Sequence, residues 1–301
     1  MYDIIVIGGG VAGLMAALYA RRASKTVLVI EKETFGGQIT FSPKVENIPG
    51  FTQISGNEYA ERLVDQAIYQ GVETECATVS GIKDGEIKTV FTDCGEFQAK
   101  AVIVATGAKH RTLGLEGEEG LIGNGISFCA VCDGAFYSGQ TVAVIGGGNS
   151  ALQEALLLSD LVKNLYIVQD LEFLTGEAKL AEQLKEKSNV EIICGSRVEG
   201  YIYDSEGIKG VKINSHGEQK EIAADGVFLA VGLLPQNEPF KDVISLDSRG
   251  YASAGEDCKT AAKGIFVAGD CRTKRIRQVT TAAADGAVAA LAACDYIDGK
   301  N

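Results

Sequence analysis

The sequence is poor in the residues that build metal sites, and it lacks a long apolar run. Histidine occurs only at His110 and His216, and the single C-x-x-C pair, Cys129 and Cys132, lies among eight cysteines. A tetrahedral zinc site needs a second such pair or nearby histidines, so the sequence predicts no metal site. Eight cysteines in 301 residues are also too few for a disulfide scaffold.

The lack of a long apolar run and of a net positive charge argues against a membrane protein and against a nucleic-acid-binding protein. No apolar run reaches the roughly 18 residues of a membrane span, and the chain starts on a strand-like segment without a charged leader. We therefore expect a cytoplasmic protein. The net charge of -12 argues against nucleic acid as a partner, because phosphate binding needs a basic face.

Two strand, glycine turn, helix, strand units repeat along the chain. The first covers residues 3–31 with the turn GGGVAG at 8–13, and the second covers residues 141–169 with GGGNSA at 146–151. Short buried strands are predicted near 102–107, 228–232 and 264–270, followed by a helix from about 278 to 296. The pattern predicts an α/β fold with two Rossmann-like three-layer domains, the second inserted in the first. The predicted boundaries are 1–112 with 244–301 for the first domain and 113–243 for the second.

The first glycine turn has the residues of a dinucleotide site. Gly8 permits the tight turn, Gly10 lets the backbone approach a pyrophosphate, and Gly13 allows close packing of helix on strand. Glu31 ends the second strand, where its carboxylate can accept from ribose hydroxyls. Three short motifs elsewhere in the chain are predicted to contact a larger ligand, and their combination favours FAD. They are Thr106-Gly107, Gly36-Gly37-Gln38 and Gly269-Asp270.

These motifs resemble the low-molecular-weight thioredoxin reductase family, an FAD/NAD-linked reductase type. The resemblance covers nearly the whole chain and rests on residues 8–13, 36–38, 47–51, 105–107, 129–134, 269–270 and 277–278, of which the C-x-x-C-D-G block is the most specific. It implies thioredoxin as substrate, a homodimer and FAD as cofactor. The contacts that it implies, beyond those named above, are Ala12, Asn47, Val79, Arg277, Gln278 and Val279.

The resemblance also implies roles for the redox residues. Cys132 faces the flavin, Cys129 is the thiol that attacks the substrate disulfide, and Asp133 is the proton donor. The chemistry of the residues agrees, since a C-x-x-C pair can lower a thiol pKa to about 7 and an adjacent carboxyl can move the proton.

The second glycine turn departs from the family pattern. The positions where the family has a His-Arg-Arg cluster and a further Arg, which grip the 2'-phosphate of NADPH, are here Gln169, Asp170 and Leu171, then Thr175. Each lost charged hydrogen bond is worth roughly 1.5 to 3 kcal/mol, so NADPH binding should be weakened by several kcal/mol. Asp170 could instead accept from the free 2'-hydroxyl of NADH.

The departure favours ferredoxin as the electron donor, as in the ferredoxin-dependent flavin thioredoxin reductases, which this chain resembles in lacking those arginines. An acidic ferredoxin would need a positive docking face; the candidates are Lys274, Arg275, Arg21, Arg22 and Lys25, with Arg277 assigned to the flavin by resemblance. Three alternatives stay open: an NADH- or NADPH-dependent thioredoxin reductase, a flavin dithiol oxidase, and a flavin-bound redox sensor without turnover.

Overall fold

The computed structural model describes residues 1–42 and 45–300, which form two compact units. Unit 1 contains the described residues within 1–43, 48–109 and 234–301, and unit 2 those within 44–47 and 110–233. Among the described residues, no helix is both long and apolar enough to cross a bilayer.

The strands carry the buried apolar runs seen in the sequence. In chain order they are β1 Tyr2–Ile7, β2 Val27–Glu31, β3 Glu73–Cys76, β4 Val79–Lys83, β5 Lys88–Thr92, β6 Gly95–Val104, β7 Ala108–His110, β8 Ile126–Ser127, β9 Thr141–Ile145, β10 Asn164–Val168, β11 Val190–Ile193, β12 Ser196–Asp204, β13 Gly207–Ser215, β14 Glu218–Ala223, β15 Gly226–Leu229, β16 Leu233–Pro235 and β17 Ile265–Val267.

The helices follow the strands as the sequence predicts for α/β units. They are α1 Val11–Arg22, α2 Gly56–Tyr69, α3 Glu118–Leu121, α4 Ala130–Asp133, α5 Asn149–Ser159, α6 Ala178–Lys185 and α7 Val279–Ile297. Short 3-10 helices occupy Gly37–Phe41, Gly134–Tyr137, Glu238–Phe240 and Gly269–Cys271.

Unit 1 is built on a mixed sheet in the order β3-β2-β1-β6-β5-β4, with β17 also paired to β6. The strands β3, β2, β1, β6 and β17 run parallel, whereas β4 and β5 are antiparallel to their neighbours. The residues of β1 alternate between two buried clusters, one on each face of the sheet. Ile4 and Val6 belong to one cluster, and Ile5 and Ile7 belong to the other. Both faces of the sheet are therefore covered. The helices α1, α2 and α7 cover one of those faces.

The first and last helices of unit 1 pack unusually closely, because α7 is rich in alanine and glycine. A Cβ added at Gly286 would lie 2.2 Å from the carbonyl oxygen of Ala12, so only glycine fits at that contact. Ala16 of α1 and Ala289 of α7 are fully buried in the same cluster. The N-terminal and C-terminal parts of the chain therefore share one core.

Unit 2 contains three layers. A parallel sheet in the order β11-β10-β9-β15-β8 forms the middle layer. The helices α5 and α6 pack on one face through Leu152, Leu158 and Leu184. The antiparallel sheet β12-β13-β14 packs on the other face through Val198, Val211 and residues near them. The predicted α/β class with two Rossmann-like units is confirmed.

Three segments group differently from the prediction: residues 110–112 and the described part of 44–47 group with unit 2, and residues 234–243 group with unit 1. The sequence placed residues up to 243 in the second domain, whereas residues from 234 onward group with unit 1. Asn237 is fully buried there and its side-chain amide donates to the carbonyls of Gly250 and Cys271. Phe240 and Ile244 lie in the core of unit 1. These contacts hold the segment in unit 1.

Candidate active site

Cys129 and Cys132 form a disulfide in unit 2, at the start of the short helix α4. The C-x-x-C spacing places both residues on one helical turn, with their Cα atoms 5.3 Å apart. The backbone N–H of Cys132 donates to Cys129 Sγ at 3.2 Å, so Cys129 caps the helix that contains its partner. Val131 between them is 63% exposed. The sulfur pair is therefore held by backbone contacts on an accessible turn.

Asp133 lies directly after the disulfide and is tied to it through Ser127. The Ser127 hydroxyl donates to Asp133 Oδ2 at 2.6 Å and accepts from the backbone N–H of Cys129 at 3.1 Å. Asp133 Oδ1 is buried and has no hydrogen-bond partner within the described residues. Burial raises the pKa of Asp133, and the bond from Ser127 offsets part of that rise. The carboxyl therefore keeps its proton to higher pH than an exposed aspartate, as a proton donor requires.

The first glycine turn, in unit 1, has the geometry of a phosphate-binding turn. Gly8 has φ +105°, and a Cβ there would lie 2.4 Å from the carbonyl oxygen of Ala105. A Cβ at Gly13 would lie 1.9 Å from the Gly8 carbonyl oxygen, so helix and strand touch at this point. At Gly10, which caps α1, the atom nearest to an added Cβ would be the Gly36 carbonyl oxygen at 3.8 Å, an ordinary contact distance. The start of α1 thus offers an open backbone surface.

Glu31 closes this turn from the end of β2. Its Oε2 accepts from the backbone N–H of Gly9 at 2.7 Å, and its Oε1 accepts from the N–H of Glu33 at 2.9 Å. These bonds fix the carboxylate beside the glycine turn. Each oxygen has a lone pair left for a ribose hydroxyl.

Two other glycines, Gly36 and Gly37, lie beside the first glycine turn. Gly36 donates its N–H to the Gly9 carbonyl at 2.8 Å and pairs with Gly10 in a parallel bridge. Gly37 has φ +69° and begins a 3-10 helix that contains Gln38, which is exposed. The structure therefore brings 8–13 and 36–38 together, as the sequence suggested.

Asp270 is a buried carboxyl with an unfilled hydrogen-bonding site. It follows Gly269, whose φ is +79° and where an added Cβ would lie 2.7 Å from Ala12 Cβ on α1. Asp270 Oδ1 is buried without a hydrogen-bond partner in the part of the chain that the structure describes. Burial raises the pKa of Asp270, against the lowering influence of Lys274 and Arg277. Such a carboxyl, with one oxygen unpaired among the described residues, is suited to a hydroxyl-bearing ligand.

Arg277 lies beside Asp270 and is held flat. Its guanidinium carbon is 4.3 Å from the centre of the Tyr251 ring, and its Nε and Nη2 donate to the carbonyls of Asp270 and Arg272. Gln278 caps α7 in a reciprocal pair with Thr281, and Val279 is the first residue of that helix.

Most of the other residues predicted to contact FAD lie in unit 1, whereas Asn47 groups with unit 2. Thr106 and Gly107 follow β6, and the Thr106 hydroxyl donates to Asn237 Oδ1 at 3.2 Å. Ala12 is buried in α1, and Val79 begins β4. Asn47 is exposed in the short stretch that groups with unit 2.

The second glycine turn, in unit 2, is covered by uncharged and acidic groups. An added Cβ at Gly147 would lie 2.7 Å from the amide carbon of Gln169, which is buried at the end of β10 and donates to the Phe173 carbonyl at 3.5 Å. Thr175 donates its N–H to the Gly147 carbonyl at 2.8 Å. Segment 169–177 contains three acidic residues and no lysine or arginine. Six of its residues are exposed: Asp170, Leu171, Glu172, Phe173, Thr175 and Glu177.

The basic residues predicted for docking are largely engaged within the fold. Lys274 is only 6% exposed and donates to Asp285 at 2.9 Å, so the docking role predicted for it is wrong. Lys25 pairs with Asp298, and Arg21 donates to the carbonyls of Gln70 and Lys25. The exposed members of the set are Arg22 and Arg275.

Sequence reasoning missed three polar residues that organise these sites. Ser127 links Asp133 to Cys129, Asn237 orients Thr106, and Tyr251 supports Arg277. Ser127, two positions before the first cysteine, was the only one with a local signal, because a serine so close can reach the helix start.

Comparison with known proteins assigns the chain to a family. A family model described as pyridine nucleotide-disulphide oxidoreductase matches residues 2–286. A "34.2 kDa protein in rubredoxin operon" of Clostridium pasteurianum is 42% identical over 301 residues, covering 99% of this chain and 98% of the relative. The thioredoxin reductase of Listeria monocytogenes is 38% identical over 301 residues, covering 99% and 94%. The solved thioredoxin reductase of Streptococcus pyogenes matches with a TM-score of 0.94, 37% identity and 99% coverage of both chains.

Proposed function

Because this chain belongs to the pyridine nucleotide-disulphide oxidoreductases, and among them to the low-molecular-weight thioredoxin reductases, we propose that it reduces thioredoxin with electrons from ferredoxin. The protein is a flavoprotein that uses FAD, and it has a redox disulfide between Cys129 and Cys132.

We assign FAD to the glycine surfaces of unit 1. The open backbone at Gly10 suits the pyrophosphate, Glu31 suits a ribose, and the unpartnered Oδ1 of buried Asp270 suits a ribityl hydroxyl. FAD, when bound, accepts electrons singly and delivers two of them to a disulfide. The remaining proposed contacts are Gly8, Ala12, Gly13, Gly37, Gln38, Asn47, Val79, Thr106, Gly107, Gly269, Arg277, Gln278 and Val279.

Unit 2 then supplies the dithiol chemistry, although its fold is that of an NADPH domain. Reduction breaks the Cys129–Cys132 bond and consumes two electrons and two protons. The Cys129 thiolate attacks the thioredoxin disulfide to form a mixed disulfide, and Cys132 then attacks Cys129 to restore the starting bond. Asp133, which keeps its proton to raised pH, gives that proton to the departing sulfur and regains one on the next reduction.

The observation that carries the ferredoxin proposal is the uncharged and acidic cover of the second glycine turn. Gln169 fills the space over Gly147 with an amide, and segment 169–177 provides acids where a 2'-phosphate would need cations. A one-electron donor needs no such site. Plant-type ferredoxin at about -400 mV lies roughly 130 mV below thioredoxin, or roughly 6 kcal/mol for two electrons. A relative encoded in a rubredoxin operon fits an iron-protein donor.

NADH is the second candidate donor, and Asp170 is the residue that favours it. Asp170 is exposed at the end of β10, the position from which an acid can accept from a ribose 2'-hydroxyl. A flavin dithiol oxidase would instead pass electrons from a small dithiol to oxygen.

The proposal also includes a homodimer and a cytoplasmic location.

Anaerobic flavin absorbance separates these donors. Purified protein receives NADPH or NADH in one cuvette and photoreduced ferredoxin in another, and each then receives oxidised thioredoxin. We expect bleaching by ferredoxin alone and recovery on adding thioredoxin. The Cys129→Ser variant is the matched control, which should bleach but fail to pass electrons to thioredoxin.

Rapid bleaching by NADH or NADPH would overturn the ferredoxin proposal. Bleaching by a small dithiol, followed by recovery on adding oxygen but not on adding oxidised thioredoxin, would indicate the oxidase. A double variant, Asp170→Arg with Leu171→Arg, should tighten NADPH binding measured by fluorescence quenching, because it places arginines at the two positions where the family pattern has them.

A further inference from the structure

The redox helix α4 packs along one face of α5. The backbone N–H of Ala130 hydrogen-bonds to the carboxyl of Glu154. One turn further on, a Cβ added at Gly134 would lie 3.0 Å from Leu158 Cδ2. Residues 130 and 134, like residues 154 and 158, are separated by one helical turn, so the two segments run side by side. Glu154 therefore meets the chain at the residue directly after Cys129.

Glu154 is an acid in an apolar setting. Its Oε2 is buried and has no hydrogen-bond partner within residues 1–42 and 45–300. The neighbouring positions of α5, Ala151, Ala155 and Leu158, are fully buried in the apolar cluster of that layer. Burial raises the pKa of Glu154 to about 8, and the bond from Ala130 offsets only part of that effect. At neutral pH the carboxyl is therefore mostly protonated and uncharged.

The charged groups of the other neighbouring elements point away from Glu154. Strand β9 has no titratable side chain, and Tyr166 of β10 packs on the opposite face of the sheet. Helix α6 contacts this layer through Leu180, Ala181 and Leu184, while its charged residues are exposed. The redox segment that packs on α5 carries four titratable side chains, those of Cys129, Cys132, Asp133 and Tyr137.

We propose that Glu154 is a positioning residue for the redox pair, holding the first turn of α4 and setting, through its own charge, how readily Cys129 becomes a thiolate. A neutral Glu154 leaves the thiolate undisturbed. An ionised Glu154 places a second negative charge near the sulfur and favours the thiol. The two groups then titrate as a coupled pair, with Asp133 delivering protons at the other end of the helix.

The proposal rests on the redox role of Cys129 but not on the electron donor. Reduction of the disulfide leaves two sulfur atoms that together require two protons, unless one stays a thiolate. While Glu154 holds its proton, Cys129 can remain the thiolate that attacks thioredoxin. As pH rises through the pKa of Glu154, the new negative charge disfavours the Cys129 thiolate. This happens in the same pH range in which an isolated thiol would become more ionised.

Alkylation of Cys129 in the reduced holoenzyme tests this coupling. The rate with iodoacetamide is measured anaerobically from about pH 6 to about pH 10, and the modified residue is located by peptide mass spectrometry. Glu154→Gln fixes the neutral form. We expect equal rates in wild type and variant near pH 6, and a variant about three- to tenfold faster near pH 8.5.

Two further variants separate charge from packing. Leu158→Ala removes a contact on the same face one turn away and should keep the wild-type pH profile, although it lowers stability. Glu154→Asp keeps an ionisable group and should keep a displaced inflection, which preserves the test if the glutamine variant does not fold. Parallel profiles for wild type and Glu154→Gln over the whole range would overturn the proposal. Cys129 that no reagent or thioredoxin reaches at any pH would instead contradict the redox role itself.

Discussion

Replacing Asp285 by asparagine should destabilise unit 1 more than any loss of a surface ion pair. The carboxylate accepts from Arg272 Nε and Nη2 at 2.8 and 2.7 Å and from Lys274 at 2.9 Å. It also accepts from the backbone N–H of Gly269 at 2.9 Å. Arg272, Lys274 and Asp285 are 2%, 6% and 7% exposed, so the variant removes the buried anion from two buried cations and leaves Arg272 only the 94% exposed Glu256.

Removing one partner of a buried ion pair typically costs about 3 to 5 kcal/mol. The matched control is Asp298→Asn in the turn after α7, where the carboxylate is 33% exposed and pairs with Lys25 and Lys300. Exposed pairs are worth at most about 1 kcal/mol. We therefore expect urea denaturation, followed by circular dichroism, to show a much lower midpoint for Asp285→Asn and a small change for Asp298→Asn.

The pH dependence gives a second check on the same carboxylate. Burial alone would raise the pKa of Asp285, but the hydrogen bonds and charges of Arg272 and Lys274 outweigh it and hold the pKa below 3.8. The stabilisation is therefore complete above pH 3.8 and is lost as pH falls through the lowered value. The gap between wild type and Asp285→Asn should close only in that acid range. Equal midpoints for Asp285→Asn and Asp298→Asn at neutral pH would refute the reasoning.

Three other predictions concern the redox and nucleotide sites. Asp133→Asn removes the proton-holding carboxyl and should slow single-turnover reduction of thioredoxin by about 100-fold or more while the disulfide still forms; an unchanged rate would exclude the proton-donor role. Gly13→Ala places a methyl group 1.9 Å from the Gly8 carbonyl oxygen, so the purified variant should show a reduced flavin-to-protein absorbance ratio. Gly120→Ala, where the added group meets nothing within 4 Å, is its control, and equal FAD content in both would contradict the assignment. Glu154→Gln should make stability less dependent on pH. In the wild type, folded Glu154 keeps a proton that the unfolded chain loses above pH 4.5. The free energy of unfolding of the wild type should therefore fall by a few kcal/mol as pH rises from 4.5 to about 8. A wild-type urea midpoint that does not fall between about pH 5 and about pH 9 would contradict this.

Local patterns were enough to predict the chemistry-bearing turns. The spacing of Gly8, Gly10 and Gly13 determines how a strand passes into a helix within six residues, and the structure has that geometry. The C-x-x-C pair is likewise local, because two cysteines three positions apart share a helical turn. The helix predicted from about 278 to 296 is α7, Val279–Ile297.

Contacts between distant parts of the chain could not be predicted in this way. Lys274 looked like a free surface cation because nothing near it in sequence shows that Asp285, on the following helix, binds it. The placement of residues 234–243 depends on Asn237, whose partners are 13 and 34 positions away. The burial of Glu154 could not be predicted either, since it depends on which side of α5 the redox helix covers.

The close packing of α7 on α1 has a consequence for synthesis on the ribosome. Strand β17, Asp270 and the Gly286 contact with Ala12 all come from the last part of the chain, so unit 1 cannot acquire its core until translation is nearly complete. At roughly 5 to 20 residues per second, the first 109 residues wait many seconds for their partners. Most of unit 2, which is continuous from 110 to 233, can fold during that interval. Unit 1, although its first residues are translated before those of unit 2, is therefore the later of the two to mature.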